Sequence, residues 1–287
     1  MNALPIKPSR HDVYDFISPD SGTKDCALGK NVLITGAGSG IGQHTAIHFA
    51  RAGATKVVLA GRNVTDLEET KATIEAEYPK CQVLCVPTDI TDREQVANLI
   101  QKAGKLDILI NNAGSTGHIA PLVETDFDKW WSAFDINIRG TYMVTVEFLK
   151  QLNGGQGVVL NVSSRSSYVT IPHMSAYQIS KGALNRLTEF VDKGYSAQGV
   201  VAIAFHPGGV QGTKVADAAP EFLRKTFKDT PALPASTALY LTLPRAKFLS
   251  GRYISAQWDM EELETHRERI IKEDLLKMRV LGIDDQI

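Results

Sequence analysis

The hydrophobic period of this chain changes regularly along its length, and that alternation constrains the fold more than any single motif. Short β-branched runs occur at Asn31–Thr35, Lys56–Ala60, Gln82–Pro87, Leu106–Ile110, Gly157–Val162, Val200–Phe205 and Arg252–Ser255. Between them lie segments whose apolar residues recur every three or four positions, as in Ile41–Ala52, Asp66–Glu77, Gln95–Lys102 and Ala176–Ala197. Strands that alternate with helices of this length form βαβ units, hence a parallel sheet covered by helices on both faces. The runs are nearly continuous in apolar residues, as strands buried on both faces are. The expected class is α/β and doubly wound, with a mostly parallel seven-stranded sheet.

Two regions fall outside the alternation. Residues 1–29 read as an irregular arm over the surface. The segment Trp258–Leu281 is charged, with Leu263, Ile270, Leu275, Met278 and Leu281 making a helical stripe, and reads as a tail packed on its own domain. No linker divides the rest, so residues 30–287 are expected to form a single domain. The chain is 43% hydrophobic and 22% charged with a formal net charge of −1, which gives no electrostatic footprint for nucleic acid or an anionic membrane surface. No run approaches the ~20 apolar residues of a membrane span, and the polar N-terminus lacks a signal core, so cytoplasmic localisation is expected. Cys26, Cys81 and Cys85 are an odd number and make no disulfide framework. Cys81 and Cys85 have no second pair of ligands nearby and are expected to be buried thiols, not a metal site.

The first chemistry-bearing segment is Thr35-Gly36-Ala37-Gly38-Ser39-Gly40-Ile41-Gly42, which carries the first strand into the first helix. Glycines permit the tight turn and let the backbone approach a pyrophosphate, while the free N–H groups and the helix dipole favour the anion. The generic dinucleotide spacing G-x-G-x-x-G fails because Ile41 stands where the third glycine belongs. The spacing T-G-x-x-x-G-x-G fits, with glycines at 36, 40 and 42. Further along come Asp89-Ile90, Asn111-Asn112-Ala113-Gly114, Asn137, Ser164, Tyr177-x-x-x-Lys181 and Pro207-Gly208, in that order.

In these residues, from Asn31 to about Ser255, the chain resembles the short-chain dehydrogenase/reductase family. Arm and tail make it most similar to fungal members of undefined substrate. The resemblance implies a Rossmann fold in which Gly36, Ser39, Gly40, Ile41 and Gly42 take the cofactor's pyrophosphate. It implies that Asp89 bonds the adenine amino group, that Ile90 lines the adenine pocket, and that Asn112, Ala113 and Gly114 close over the adenine ribose and brace the sheet. Pro207, Gly208 and Val210 would meet the nicotinamide carboxamide through their backbone. The usual P-G-x-V-x-T is interrupted here by Gly212, so Thr213 takes the threonine's part with a changed spacing.

Cofactor choice turns on the end of the second strand, where a carboxylate binds the ribose 2′-OH and an arginine accepts a 2′-phosphate. The strand ends at Arg62, with no acid before Asp66 in the next helix. That favours NADP(H), with NAD(H) as the alternative.

Tyr177 and Lys181 lie four apart in a helical pattern and share a face. A free tyrosine, with a pKa of about 10, is a poor base near neutrality. An ammonium roughly 5 Å away at an effective dielectric of about 20 contributes on the order of 3 kcal/mol, enough to pull the phenol towards about 8. By the resemblance, Tyr177 is the acid/base, Lys181 also holds the nicotinamide ribose, and Asn137 holds a water linking Lys181 to solvent. Ser164, thirteen residues before Tyr177, would orient the substrate oxygen. Ser167 stands where many relatives have glycine, so this loop is expected to be shaped differently. His173 is expected to wall the pocket and His206 to pack before Pro207, neither being catalytic.

The expected activity is hydride transfer between a nicotinamide and a small-molecule ketone, aldehyde or secondary alcohol. The alternatives are an isomerase or cyclase of the same fold, or a cofactor sensor without turnover. The segment 216–233 should be the substrate lid, and its Phe222, Leu223 and Phe227 suggest an apolar substrate. Trp130, Trp131, Phe134, Tyr142, Val146 and Leu149 carry more apolar surface than one side of a sheet needs, which suggests a homodimer or homotetramer.

Overall fold

Runs such as Val-Leu-Ile at 32–34 and Val-Val-Leu at 57–59 bury both of their faces, which places them inside a three-layer sandwich. The computed structural model describes residues 4–280. Leu281 of the expected tail stripe therefore lies outside the described residues. The elements run β1 (Asn31–Thr35), α1 (Gly40–Arg51), β2 (Lys56–Gly61), α2 (Val64–Glu77), β3 (Gln82–Pro87), α3 (Arg93–Ala103) and β4 (Ile108–Asn111). They continue with α4 (Phe127–Phe134), α5 (Thr141–Leu152), β5 (Gly157–Val162), α6 (Ser175–Tyr195) and β6 (Val200–His206). Two short helices, α7 (Lys214–Ala218) and α8 (Glu221–Arg224), precede α9 (Ala232–Leu241), β7 (Tyr253–Ser255), α10 (Met260–Thr265) and α11 (Arg267–Lys272).

The seven strands form one sheet in the order β3-β2-β1-β4-β5-β6-β7. Every pairing in it is parallel. The strand order reverses between β1 and β4, and a doubly wound sheet opens its ligand crevice at such a switch point, beyond the carboxyl ends of the strands. The expected strands sit as read, with small shifts. Leu106 lies before β4, where its N–H and C=O are held by the Gln151 side chain at 3.2 and 3.0 Å.

Two features were invisible to periodicity. Helix α9 is buried on every side, so its sequence shows no amphipathic stripe. Between α4 and α5 the chain runs through a π-helix, Asp135–Gly140, a wider turn that single-sequence patterning does not distinguish from an α-helix.

The arm does more than lie over the surface. Ile17 and Ala27 are fully buried in the core, and the Phe16 ring packs at 5.8 Å from that of Tyr240. In the tail, Leu263 and Ile270 are fully buried against the rest of the chain. Beyond α11, the Leu276 carbonyl accepts from the Tyr253 N–H at 2.8 Å, so the tail covers the open edge of β7. Among the described residues, no helix is long and apolar enough to cross a membrane.

Candidate active site

A cleft of about 960 Å³ opens beyond the carboxyl ends of β1, β2, β4, β5 and β6. At one end stands the glycine turn. Gly36 and Gly40 have φ of +67° and +54°, a backbone that side chains rarely tolerate. A Cβ on Gly42 would lie 2.2 Å from the Gly36 carbonyl oxygen, so this glycine serves turn packing and does not face the cleft. No side chain caps the N-terminus of α1, which leaves its first N–H groups available to an anion. An open glycine turn, an uncapped helix end and a long cleft between them and β6 fit a dinucleotide.

Gly36, Ser39, Gly40, Ile41, Arg62, Asp89, Ile90, Asn112, Ala113 and Gly114 all line the cleft. The side chain of Asn112 ties β4 to the turn, donating to the Thr35 and Gly36 carbonyls at 2.9 and 3.1 Å. Thr35 returns the tie, its Oγ1 accepting from the N–H groups of Asn112 and Ala113, each at 3.1 Å. Asp89 accepts from the N–H and hydroxyl of Thr91 at 2.9 and 2.8 Å, which fixes its carboxylate at the rim. Asp66, which the sequence placed beyond the strand end, also lines the cleft next to Arg62. The first turn of α2 folds it back, and a Cβ on Gly38 would sit 2.7 Å from its Cβ.

The other end holds Ser164, Tyr177 and Lys181, from β5 and α6. Tyr177 and Lys181 are 8% and 4% exposed, and the Lys181 Nζ lies 5.8 Å from the Tyr177 ring centre. The Lys181 ammonium donates to the Val162 carbonyl at 2.7 Å. Burial holds Lys181 down at about 8. Burial raises the Tyr177 phenol, and only its hydrogen bond with Ser164 opposes that. The expected acidification of Tyr177 by Lys181 is therefore absent in the protein alone. The lysine is itself desolvated and directs its proton to a carbonyl, so burial wins.

The serines separate by their partners. The Ser163 hydroxyl donates to Asn185 at 2.6 Å, and Asn185 donates to Ser167 at 2.8 Å. Ser164 remains the one bonded to Tyr177. Ser167, in the glycine's place, closes a 3-10 turn over Arg165–Ser167.

Asn137 is fully buried in the π-helix and does not line the cleft. Its amide donates to Ser115 O at 2.8 Å and Ser180 Oγ at 2.9 Å, and its Oδ1 accepts from Ser115 N at 2.9 Å. A Cβ on Gly114 would stand 3.2 Å from Asn137 Oδ1 and 3.4 Å from Lys181 Nζ, so glycine keeps open a small space facing both.

Pro207, Gly208, Val210 and Thr213 also line the cleft. Thr213 caps α7, accepting from Ala216 N at 3.1 Å, and its methyl lies over Gly40 rather than deep in the site. The turn that contains Gly208 is held by a residue the sequence did not reveal. Asp229, nearly fully buried, accepts from Gly209 N at 2.6 Å, Gln257 Nε2 at 2.7 Å and His11 of the arm at 2.5 Å. Of the segment 216–233 expected to form the lid, Ala232 and Leu233 instead belong to helix α9, in which Leu233 is buried. Leu223 and Phe227 line the cleft, whereas Phe222 and His173 border an adjoining apolar pocket with Ile119 and Pro121. His206 lines the cleft, as does Arg165.

Fold and site together define a nicotinamide-dependent oxidoreductase. The chain belongs to the short chain dehydrogenase family, whose model matches residues 30–223. It is 39% identical to the short chain dehydrogenase citE of Monascus ruber, with 96% of each chain covered. It is 34% identical to the short chain dehydrogenase andI of Emericella variicolor, with 95% of each covered. Among solved structures it is similar to a 7α-hydroxysteroid dehydrogenase complexed with NADH and 7-oxo glycochenodeoxycholic acid. That likeness has a TM-score of 0.74 at 25% identity, covering 85% of this chain and 96% of the other. A 3-ketoacyl-(acyl-carrier-protein) reductase from Brucella melitensis, complexed with NADH, gives a TM-score of 0.73 at 26% identity, covering 80% and 97%.

Proposed function

We propose that this enzyme reduces an apolar small-molecule ketone or aldehyde with NADPH, and runs the reverse oxidation of a secondary alcohol when concentrations demand it. One observation carries the reading: Tyr177, Ser164 and Lys181 converge at one end of a cleft whose other end is an uncapped glycine turn. The nicotinamide, when bound, supplies or accepts the hydride. Tyr177 keeps its proton near neutrality because burial raises its pKa, so it stands ready to donate to a carbonyl oxygen. Ser164, bonded to Tyr177, orients that oxygen. Lys181 holds the ribose, and its ammonium sits beside the phenol to stabilise the phenolate left after transfer.

Asn137 positions the Ser115 loop, and the gap at Gly114 gives a water a place between Asn137 Oδ1 and Lys181 Nζ for proton return. Pro207, Gly208 and Val210 present backbone groups to the carboxamide, with Asp229 fixing their turn. Gly36, Ser39, Gly40 and Ile41 take the pyrophosphate, with Gly42 packing the turn behind them, and Asp89, Ile90, Asn112, Ala113 and Gly114 surround the adenosine. Arg62 takes the 2′-phosphate, which sets the preference for NADP(H). Asp66 beside it is the observation that favours NAD(H), since a carboxylate at this end suits a free ribose 2′-OH.

The enzyme acts as a homodimer or homotetramer. Trp131, Tyr142, Ile179 and Phe190, on α4, α5 and α6, are each more than half exposed. Apolar surface of that extent marks an interface. The test of the activity is NADPH and NADH oxidation by the purified protein against a panel of ketones and aldehydes with apolar bodies. Steady oxidation that depends on the carbonyl supports a reductase. Substrate rearranged without net cofactor oxidation would show an isomerase instead, and binding without either would show a sensor.

A further inference from the structure

The charged lining of the cleft is divided along its length. Arg62, Asp66 and Asp89 stand at the glycine-turn end, and Arg165 and Lys181 at the end where Ser164 and Tyr177 meet. Among the described residues, no acidic side chain lines that second end. Asp229, behind it, already accepts from His11, Gly209 and Gln257. Lys181 is directed at the Val162 carbonyl. Arg165 has no such engagement: among the described residues no carboxylate and no hydrogen-bond acceptor holds its guanidinium. It follows Ser164 directly in the chain, so its backbone starts only ~3.8 Å from that of the residue that orients the substrate oxygen.

A second polar group at the same end lacks a partner. His206, at the end of β6, lines the cleft, and its Nδ1 is buried with no hydrogen bond. Burial, helped by the Arg165 charge, pushes the imidazole down to about 3, so the ring is neutral at any working pH. Its Nδ1 is sealed from solvent, which is unfavourable without a partner, and leaves the ring's other nitrogen to meet a ligand in the cleft. An exposed guanidinium without a protein partner and a neutral imidazole, in a wall that also offers the apolar Val169, Ile171, Met174 and Leu223, suit one anionic oxygen group on an apolar body.

We propose that Arg165 and His206 form a carboxylate subsite, so that the substrate is an oxo acid whose carboxylate lies close to the carbonyl that Tyr177 protonates. The inference rests on the reductase reading above and narrows its substrate class. A carboxylic acid, with a pKa of about 4, is ionised at neutral pH, and its two oxygens match the guanidinium fork. A neutral His206 can add one N–H without adding charge. The carboxylate is recognised and not consumed: hydride adds to the carbonyl carbon, the Tyr177 proton goes to its oxygen, and no bond to the acid changes. Lysine in place of Arg165 would keep the charge and lose the fork.

The experiment measures binding rather than turnover. The whole protein, saturated with NADP+, is titrated with 2-acetylbenzoate and with methyl 2-acetylbenzoate by calorimetry, as wild type, Arg165→Met and Arg165→Lys. The acid is expected to bind at least tenfold more tightly than the ester. Arg165→Met should remove most of that difference, with Arg165→Lys in between. Equal binding of acid and ester to the wild type, or no binding of either, overturns the inference, as does an acid-to-ester ratio unchanged in Arg165→Met. An acid that binds selectively but is never reduced by NADPH would instead count against the reductase reading and leave the subsite standing.

Discussion

At the residue scale, the site is a competition between burial and charge. Tyr177 is buried with a lysine beside it, and burial prevails, so the phenol holds its proton. Lys181 is lowered by the same burial to about 8. A base lowered in this way keeps its ammonium below about pH 8 and loses it above. The reduction rate, which needs that ammonium beside the developing phenolate, should be level from about pH 6 to 7.5. It should then fall about tenfold per pH unit well above 8. A kcat/KM profile for carbonyl reduction checks this, and a rate that climbs through pH 9 would contradict it. Cofactor choice is a residue-scale matter too. Arg62→Ala should raise the NADPH Kd about tenfold or more while barely changing that for NADH. Asp66→Asn should act in the opposite sense. Equal Kd values for the two cofactors in the unaltered protein would remove the claim for Arg62. Tyr177, Lys181 and Ser164 were legible because their spacing is fixed by one helix and one strand end. Asp66, Asp229 and Arg165 were not, since nothing in local sequence says that a helix turns an acid back over a glycine or that the arm meets a distant loop.

At the element scale, the arm is the main surprise. Its His11 carbonyl accepts from Thr230 N at 3.0 Å while its ring reaches Asp229, the residue that fixes the Gly208–Gly209 turn. The arm thus ties the Asp229–Thr230 segment and the Pro207–Val210 turn together. A hydrogen bond to a charged group contributes roughly 1.5–3 kcal/mol, so His11→Ala should lower Tm by roughly 3–10 °C. It should also raise the KM for cofactor more than it lowers kcat, and His11→Asn should restore part of both. Unchanged Tm and KM would show that the arm is only packed against the domain. The sequence suggested a surface arm because it has no periodicity. Its hold comes from single side chains such as Ile17 and His11, which carry no period to read. The strands, by contrast, were legible almost to the residue because a strand buried on both faces is written as an unbroken apolar run.

At the scale of the whole molecule, the doubly wound sheet follows from alternation, and the cleft follows from the reversal of strand order between β1 and β4. Trp131 on α4, Tyr142 on α5 and Phe190 on α6 are aromatic side chains that the fold leaves more than half exposed. Light scattering should therefore give a mass at least double the chain's 31.3 kDa, and Phe190→Glu should lower it. A mass near 31.3 kDa at micromolar concentration would show that the protein is a monomer. The proposed reaction brings a hydride, a carbonyl and one proton together, and the proton is the part this chain would supply. The most direct test is steady-state turnover of Tyr177→Phe beside its cofactor Kd, both compared with the unaltered enzyme. The Kd should stay within about threefold while kcat falls by a thousandfold or more. A variant that kept a tenth of kcat would have lost less than about 1.4 kcal/mol of barrier stabilisation, and Tyr177 would not be the proton donor.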